Sequence, residues 1–140
     1  MLIGEYIHGI DEKNRVSLPS KFRQEMGKKV VLAKGVDKCL SVFTPKEWAN
    51  FSQTLSQETL RKDNRGFNRL TFGGAMEAEV DSIGRILVPD FLIEWANLKG
   101  KVALIGVQNK VEIWNEKTWV EYRRTAERQM ASFAENVTTR

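Results

Sequence analysis

The chain has 140 residues, of which 41% are hydrophobic and 29% charged, with a formal net charge of +4. That is the composition of one ordinary globular domain with a sizeable core. No apolar run reaches the roughly 18 residues needed to span a bilayer, and residues 1–5 have neither a basic n-region nor an apolar h-region, so neither a membrane span nor a signal peptide is expected. The single cysteine, Cys39, excludes an internal disulfide and suits a reducing cytoplasm, and one Cys with one His cannot build a Cys/His zinc site.

Residues 4–10 alternate and predict a strand, with Tyr6, His8 and Ile10 on one face and Glu5, Ile7 and Gly9 on the other. Asp11-Glu12-Lys13-Asn14 reads as a turn: Asp accepts bonds from nearby backbone N–H groups, and Asn14 tolerates a positive φ. A short strand at 16–18 ends at Pro19, which suits the first turn of a helix over 20–26 closed by Gly27. Two β-branched and apolar runs, 30–34 and 39–43, form a hairpin about a turn at 35–38. Thr44-Pro45-Lys46-Glu47 is a capping box with Pro at the first helical position. Trp48, Phe51 and Leu55 share the buried face of the helix it opens. Residues 56–63 are polar and close the first unit, and a short helix over 63–72 places Phe67 with Leu70 before Gly73-Gly74 ends it. The order then repeats: strand 75–80, turn 81–84, strand 85–88, helix 89–97, hairpin 101–114 and a longer helix capped by Asn115. On that helix Trp119, Tyr122, Ala126, Met130 and Phe133 make an apolar stripe longer than one repeat requires. The excess length points to contact with another subunit, and residues 136–140 are expected to fray.

The repetition is one of sequence as well as of element order. Asp11, Arg15 and Pro19 recur as Asp81, Arg85 and Pro89, at an offset of 70 residues. Phe43 and Trp48 answer to Trp114 and Trp119 at an offset of 71, which also pairs Val31 with Val102 and Gly35 with Gly106. Gly84 stands where the first copy has Asn14 and meets the same left-handed backbone demand. A repeat this long is one supersecondary unit copied in tandem. Each unit has too few strands to hide its own core. The two are therefore expected to interleave into one small barrel about a pseudo-twofold axis, which would also cover their open edges.

Residues 11–38 carry eight Lys/Arg against four acids, residues 81–119 carry five of each, and the connector 61–69 carries four Lys/Arg against Asp63. Positive charge gathered around repeated loops points to an anionic partner, although a solvated surface has the same composition. Within the Asp-x-x-x-Arg motif, Asp11 and Asp81 are assigned to the turn. A turn does not need arginine. Arg15 and Arg85, at rigid loop tips, present planar forks of donors suited to phosphate and to the O6/N7 edge of guanine. Lys13, inside the first loop, is assigned to phosphate contact, whereas Lys21, Arg23, Lys28 and Lys29 fit phosphate contact and solvated surface equally. His8, matched by Ala78 in the second copy, reads as a packed histidine, and Cys39 as a small buried hydrophobe. Trp48, Trp95, Trp114 and Trp119 read as core rather than as base-stacking platforms. There is no nucleophile elbow and no Walker loop, and Glu77 with Glu79 reads as a solvated strand face. No catalytic residue, cofactor or metal is assigned.

Gly4-Glu5-Tyr6-x-His8 with residues 11–23, and Gly74-Ala75-x-Glu77 leading into Asp81-x-x-Gly84-Arg85-Ile86-x-Val88-Pro89, closely resemble the MraZ family. Leu104-Ile105-Gly106-Val107, Glu112-Ile113-Trp114 and Trp119 extend the resemblance over nearly the whole chain. The resemblance implies an α+β fold, a tandem-duplicated AbrB-like swapped-hairpin β-barrel with flanking helices and pseudo-twofold symmetry. On this reading the chain divides into a first AbrB-like unit at 5–48, a helical connector at 49–75, a second unit at 76–119, and a C-terminal helix and tail at 120–140. The resemblance also implies a cytoplasmic, nucleoid-associated transcription regulator. Such a regulator binds repeated sites on double-stranded DNA at the promoter of a division and cell-wall gene cluster, its own gene included. It assembles with itself into an octamer-like ring. The family's DNA-contacting arginines fall on Arg15 and Arg85, with Lys13, Asn14 and Gly84 beside them in the loops. Asn14 stands where the family more often has Gly, which implies a stiffer loop tip. The alternative on the same barrel is an antitoxin-like or other protein-interaction module, against which the lack of a long disordered tail weighs.

Overall fold

The computed structural model describes residues 1–56 and 62–138. The first half contains β1 Leu2–Gly9, β2 Arg15–Ser17, α1 Ser20–Met26, β3 Lys29–Lys34, β4 Leu40–Phe43 and α2 Pro45–Ser56. After α3 Lys62–Gly73 come β5 Met76–Glu79, β6 Arg85–Leu87, α4 Asp90–Ala96, β7 Lys101–Gln108, β8 Val111–Asn115 and α5 Glu116–Thr138. The caps form as their chemistry requires. The Glu47 N–H donates to Thr44 Oγ1 at 3.2 Å, and the Thr118 N–H donates to Asn115 Oδ1 at 3.1 Å. Pro19 and Pro89 stand at the N-caps of α1 and α4 with φ of −54° and −67°, already suited to helix entry.

The protein is α+β, and among the described residues every strand pair is antiparallel. Six strands form one sheet in the order β1-β7-β8-β4-β3-β5, and β2 pairs with β6 in a separate ribbon. The two halves therefore exchange strands. β1 of the first half pairs with β7 of the second, β5 of the second pairs with β3 of the first, and the pairs β4·β8 and β2·β6 each join the halves. Replacing each strand by its repeat leaves this pairing scheme unchanged, as a pseudo-twofold relation requires. The polar stretch 57–61, part of the expected close of the first unit, lies outside the described residues.

The register corrects one feature of the repeat. His8 faces Val102 as Ala78 faces Val30, and Ile7 faces Ala103 as Glu77 faces Val31. The offset between β3 and β7 is therefore 72, so Val31 matches Ala103 rather than Val102, and Lys34 rather than Gly35 matches Gly106. Two residues are inserted between α4 and β7 and one is lost from the second hairpin turn, which restores the offset of 71 at Phe43 and Trp114. Pairing decides this because a one-residue slip would turn every β7 side chain to the opposite face.

The main core joins both halves: Val16, Leu18, Phe22, Val30 and Leu32 pack with Ile86, Val88, Leu92, Val102 and Leu104. Burying such a side chain contributes about 1.5–3 kcal/mol. Tyr6 meets Phe22 edge-on at 5.2 Å, drawing β1 onto α1. Of the four tryptophans only Trp114 is buried. Trp48, Trp95 and Trp119 are half-buried, and α2, expected to bury Trp48, Phe51 and Leu55, has no fully buried residue. Phe43, Trp48, Phe51 and Phe72 form that patch, and Trp114, Trp119 and Tyr122 repeat it. α5 stays helical to Thr138, through most of the stretch expected to fray. No described helix is long and apolar enough to cross a membrane.

Candidate nucleic-acid interface

The two repeated loops close with the same geometry. In the first, the Lys13 and Arg15 backbone N–H groups donate to Asp11 Oδ1 at 3.0 and 2.9 Å, and Arg15 Nε donates to Asp11 Oδ2 at 2.7 Å. In the second, the Ile83 and Arg85 N–H groups donate to Asp81 Oδ1 at 3.1 and 2.8 Å, and Arg85 Nε donates to Asp81 Oδ2 at 2.8 Å. Asn14 and Gly84 take φ of 61° and 90°, the left-handed position the turn demands. The Arg15 backbone N–H above all, with the Arg15 side chain and the Lys13 N–H, holds the Asp11 carboxyl below the ordinary aspartate range. Arg85 and Ile83 do the same for Asp81.

The aspartates consume only one nitrogen of each arginine. Both Nη atoms of Arg15 and of Arg85 keep no partner among the described residues, and the two side chains are 30% and 28% exposed. Asp thus fixes the plane of each guanidinium and leaves its outer edge, a pair of N–H donors, free for an acceptor.

The ribbon sets both arginines on one side. Val16 and Ile86 face each other at its centre and are 0% exposed, which fixes its inner face. Residues alternate along a strand and directly paired residues share a face. Arg15, Ser17, Arg85 and Leu87 therefore all lie on the outer face, with Arg15 opposite Leu87 and Ser17 opposite Arg85. Strand geometry puts the two arginine Cα atoms roughly 8 Å apart. Two backbone bonds lock the loops to the opposite strand ends: the Leu18 N–H donates to the Gly84 carbonyl and the Val88 N–H to the Asn14 carbonyl, each at 2.9 Å.

The remaining candidates fall as follows. Lys13 is exposed at the first loop tip. Asn14 Nδ2 donates to Asp90 Oδ1 at 2.8 Å. Gly84 is buried, its N–H bonded to the Asp81 carbonyl at 3.0 Å. His8 is half-buried on β1, and Glu77 and Glu79 are exposed on β5. Cys39 is buried beside β4, where burial pushes its thiol up to about 12. Among the described residues no three His, Cys, Asp or Glu side chains converge as a metal site.

The MraZ protein family, whose description also likens it to antitoxins, matches the chain twice, over residues 1–70 and 71–140. The chain belongs to the MraZ family. A protein of Caldicellulosiruptor saccharolyticus named transcriptional regulator MraZ is 52% identical over 120 residues, covering 85% of this chain and 84% of its own. Its namesake in Caldanaerobacter subterraneus is 45% identical over 138 residues, covering 98% and 96%, and that of Clostridium tetani is 44% identical over 123 residues, covering 87% of each.

Within this MraZ chain the ribbon adds two outward residues that the reading of the loops passed over. Leu87 is 60% exposed between the arginines, and Ile83 is 63% exposed at the tip of the second loop. They stand where the first copy has Ser17 and Lys13. That exchange of polar for apolar residues at matched positions was the available signal, but strand alternation over three residues is too short to tell the outer face from the inner.

Proposed function

We propose that this chain is a DNA-binding transcriptional regulator that reads its site with the outer face of the β2–β6 ribbon. The observation that carries the reading is the pair of aspartate-braced arginines, Arg15 and Arg85, on that one face with their Nη groups free. A two-stranded ribbon fits the major groove, where an arginine fork matches guanine O6 and N7 and an apolar side chain such as Leu87 or Ile83 meets a thymine methyl. Lys13 serves a phosphate and sets register. Asp11 and Asp81 hold the arginines, and Asn14 and Gly84 shape the loop tips. The strand exchange between the halves supports assigning the fold to the AbrB-like swapped-hairpin barrels.

By its family, the target is the promoter of a division and cell-wall gene cluster, including the regulator's own gene, and the protein works in the cytoplasm on the nucleoid as a ring of its own copies. Support for self-association comes from α5, where Met130 and Phe133 are each 70% exposed on the same stripe as Tyr122. The test is a gel shift on DNA from upstream of the protein's own gene at matched salt. Arg15→Ala and Arg85→Ala should each weaken binding by about 1–3 kcal/mol with the fold unchanged. If both bind as the wild type does, the ribbon is not the reading surface.

A further inference from the structure

Sequence gives the first copy the positive charge, but the strand exchange delivers part of that charge to the second loop. α1 carries Lys21 and Arg23 against Glu25, while its repeat α4 carries Asp90 and Glu94 and no base. Each helix leans on the loop of the other half. Asp90 accepts the hydrogen bond from Asn14 in the first loop. The Arg23 side chain lies across Gly84 in the second: a Cβ at Gly84 would come within 2.5 Å of Arg23 Cδ and Cζ, so the missing side chain is the space the arginine fills. Gly84 is buried for this reason, although its neighbours Ser82 and Ile83 are exposed.

The placement of Arg23 is not that of a solvated surface residue. Its Nε is buried without a partner, a cost that swinging the side chain into water would remove. Its Nη2 donates to Ser20 Oγ at 3.3 Å, and Nη1, which lies against Gly84, has no partner among the described residues. Two features hold the guanidinium in place, the gap over Gly84 and the serine on the same helix. Asp90 and Ile93 occupy the positions of Ser20 and Arg23 in the second copy, so the first loop has an acid at the matching place and no arginine.

Resting on the DNA-binding reading above, we infer that Arg23 is the principal phosphate-anchoring residue of the interface, holding the backbone beside the base-reading Arg85, while Asp90 screens the first loop. Arg23 is carried by the first half but serves the second loop. Bonded to the first loop are the acids Asp11 and Asp90, with Lys13 and Arg15 as its bases, whereas the second has Asp81 with Arg85 and the Arg23 side chain packed on Gly84. The second loop therefore has the larger share of bases among these groups. The two arginines of the repeat are then unequal, with Arg85 the stronger contributor and Arg15 dependent on Lys13 for its positive surroundings.

The experiment exchanges the two copies' residues in the full-length protein: Arg23→Ile and Asp90→Ser, with Arg23→Lys as the charge-preserving control. Affinity for the upstream DNA is measured across a salt series, and circular dichroism checks the fold. Arg23→Ile should weaken binding and flatten the slope of log K against log salt by about 0.9, the value for one phosphate contact. Arg23→Lys should keep the slope, Asp90→Ser should tighten binding, and Arg85→Ala should cost more than Arg15→Ala. A folded Arg23→Ile protein with wild-type affinity and slope, or Arg15→Ala costing the more, overturns the inference while leaving the DNA-binding reading intact. Wild-type protein with no salt-dependent DNA affinity overturns that reading itself.

Discussion

Each aspartate of the repeated loop divides its carboxylate between two tasks. One oxygen takes two backbone N–H groups and so shapes the turn, and the other takes the arginine Nε and so aims the side chain. An exposed ion pair is worth little for stability, so the main effect of the pair is to hold the fork of donors in one orientation. Folding lowers both carboxyl pKa values. Their contribution is therefore complete above the unfolded aspartate value of about 3.9 and is lost as pH falls through the lower folded values. An NMR titration of the side-chain carboxyl carbons should find Asp11 and Asp81 titrating below ordinary aspartates; ordinary midpoints would contradict the brace. Cys39 gives a second check. With its thiol pushed up to about 12 by burial, it should resist a thiol reagent at pH 8 in the native protein and react at once after denaturation. Fast native labelling would show that the segment preceding β4 opens. The aspartates and arginines were legible in the sequence because their spacing is copied. Arg23 over Gly84 was not, because those residues are 61 positions apart and belong to different copies.

The ribbon is the element on which the proposed interface depends. β2 and β6 have three residues each, and the Val16–Ile86 pair buried beneath them ties the two loops to the core. Ile86→Ala should destabilise the protein by about 2–5 kcal/mol in urea denaturation, the range for truncating a fully buried aliphatic side chain. A loss under 1 kcal/mol would mean that the ribbon is not packed as described. α2 is anchored more loosely, by its cap and a half-buried aromatic face, and Thr44→Ala should cost about 1 kcal/mol. Caps, turns and helix limits were readable locally, since each depends on residues within four positions of one another. The outward placement of Leu87 was not, because it follows from the strand opposite.

The two halves of the molecule complete one another. Without the second half, β1 loses β7, β3 loses β5 and β2 loses β6. A fragment of residues 1–70 should therefore fold only by pairing with another copy. Its circular dichroism signal should depend on concentration, and sedimentation should find no folded monomer. A cooperatively unfolding monomeric fragment would refute the exchange. Local sequence carried the duplication, the element order and the turn chemistry of the Asp-x-x-x-Arg loops, since periodicity, capping and turn preferences act over short stretches of chain. Tertiary pairing set the offset of 72 at β7, the common face shared by Arg15 and Arg85, and which helix lies against which loop. These are facts of pairing between the copies. A repeat states what each copy contains, and strand exchange then hands part of one copy's charge to the other.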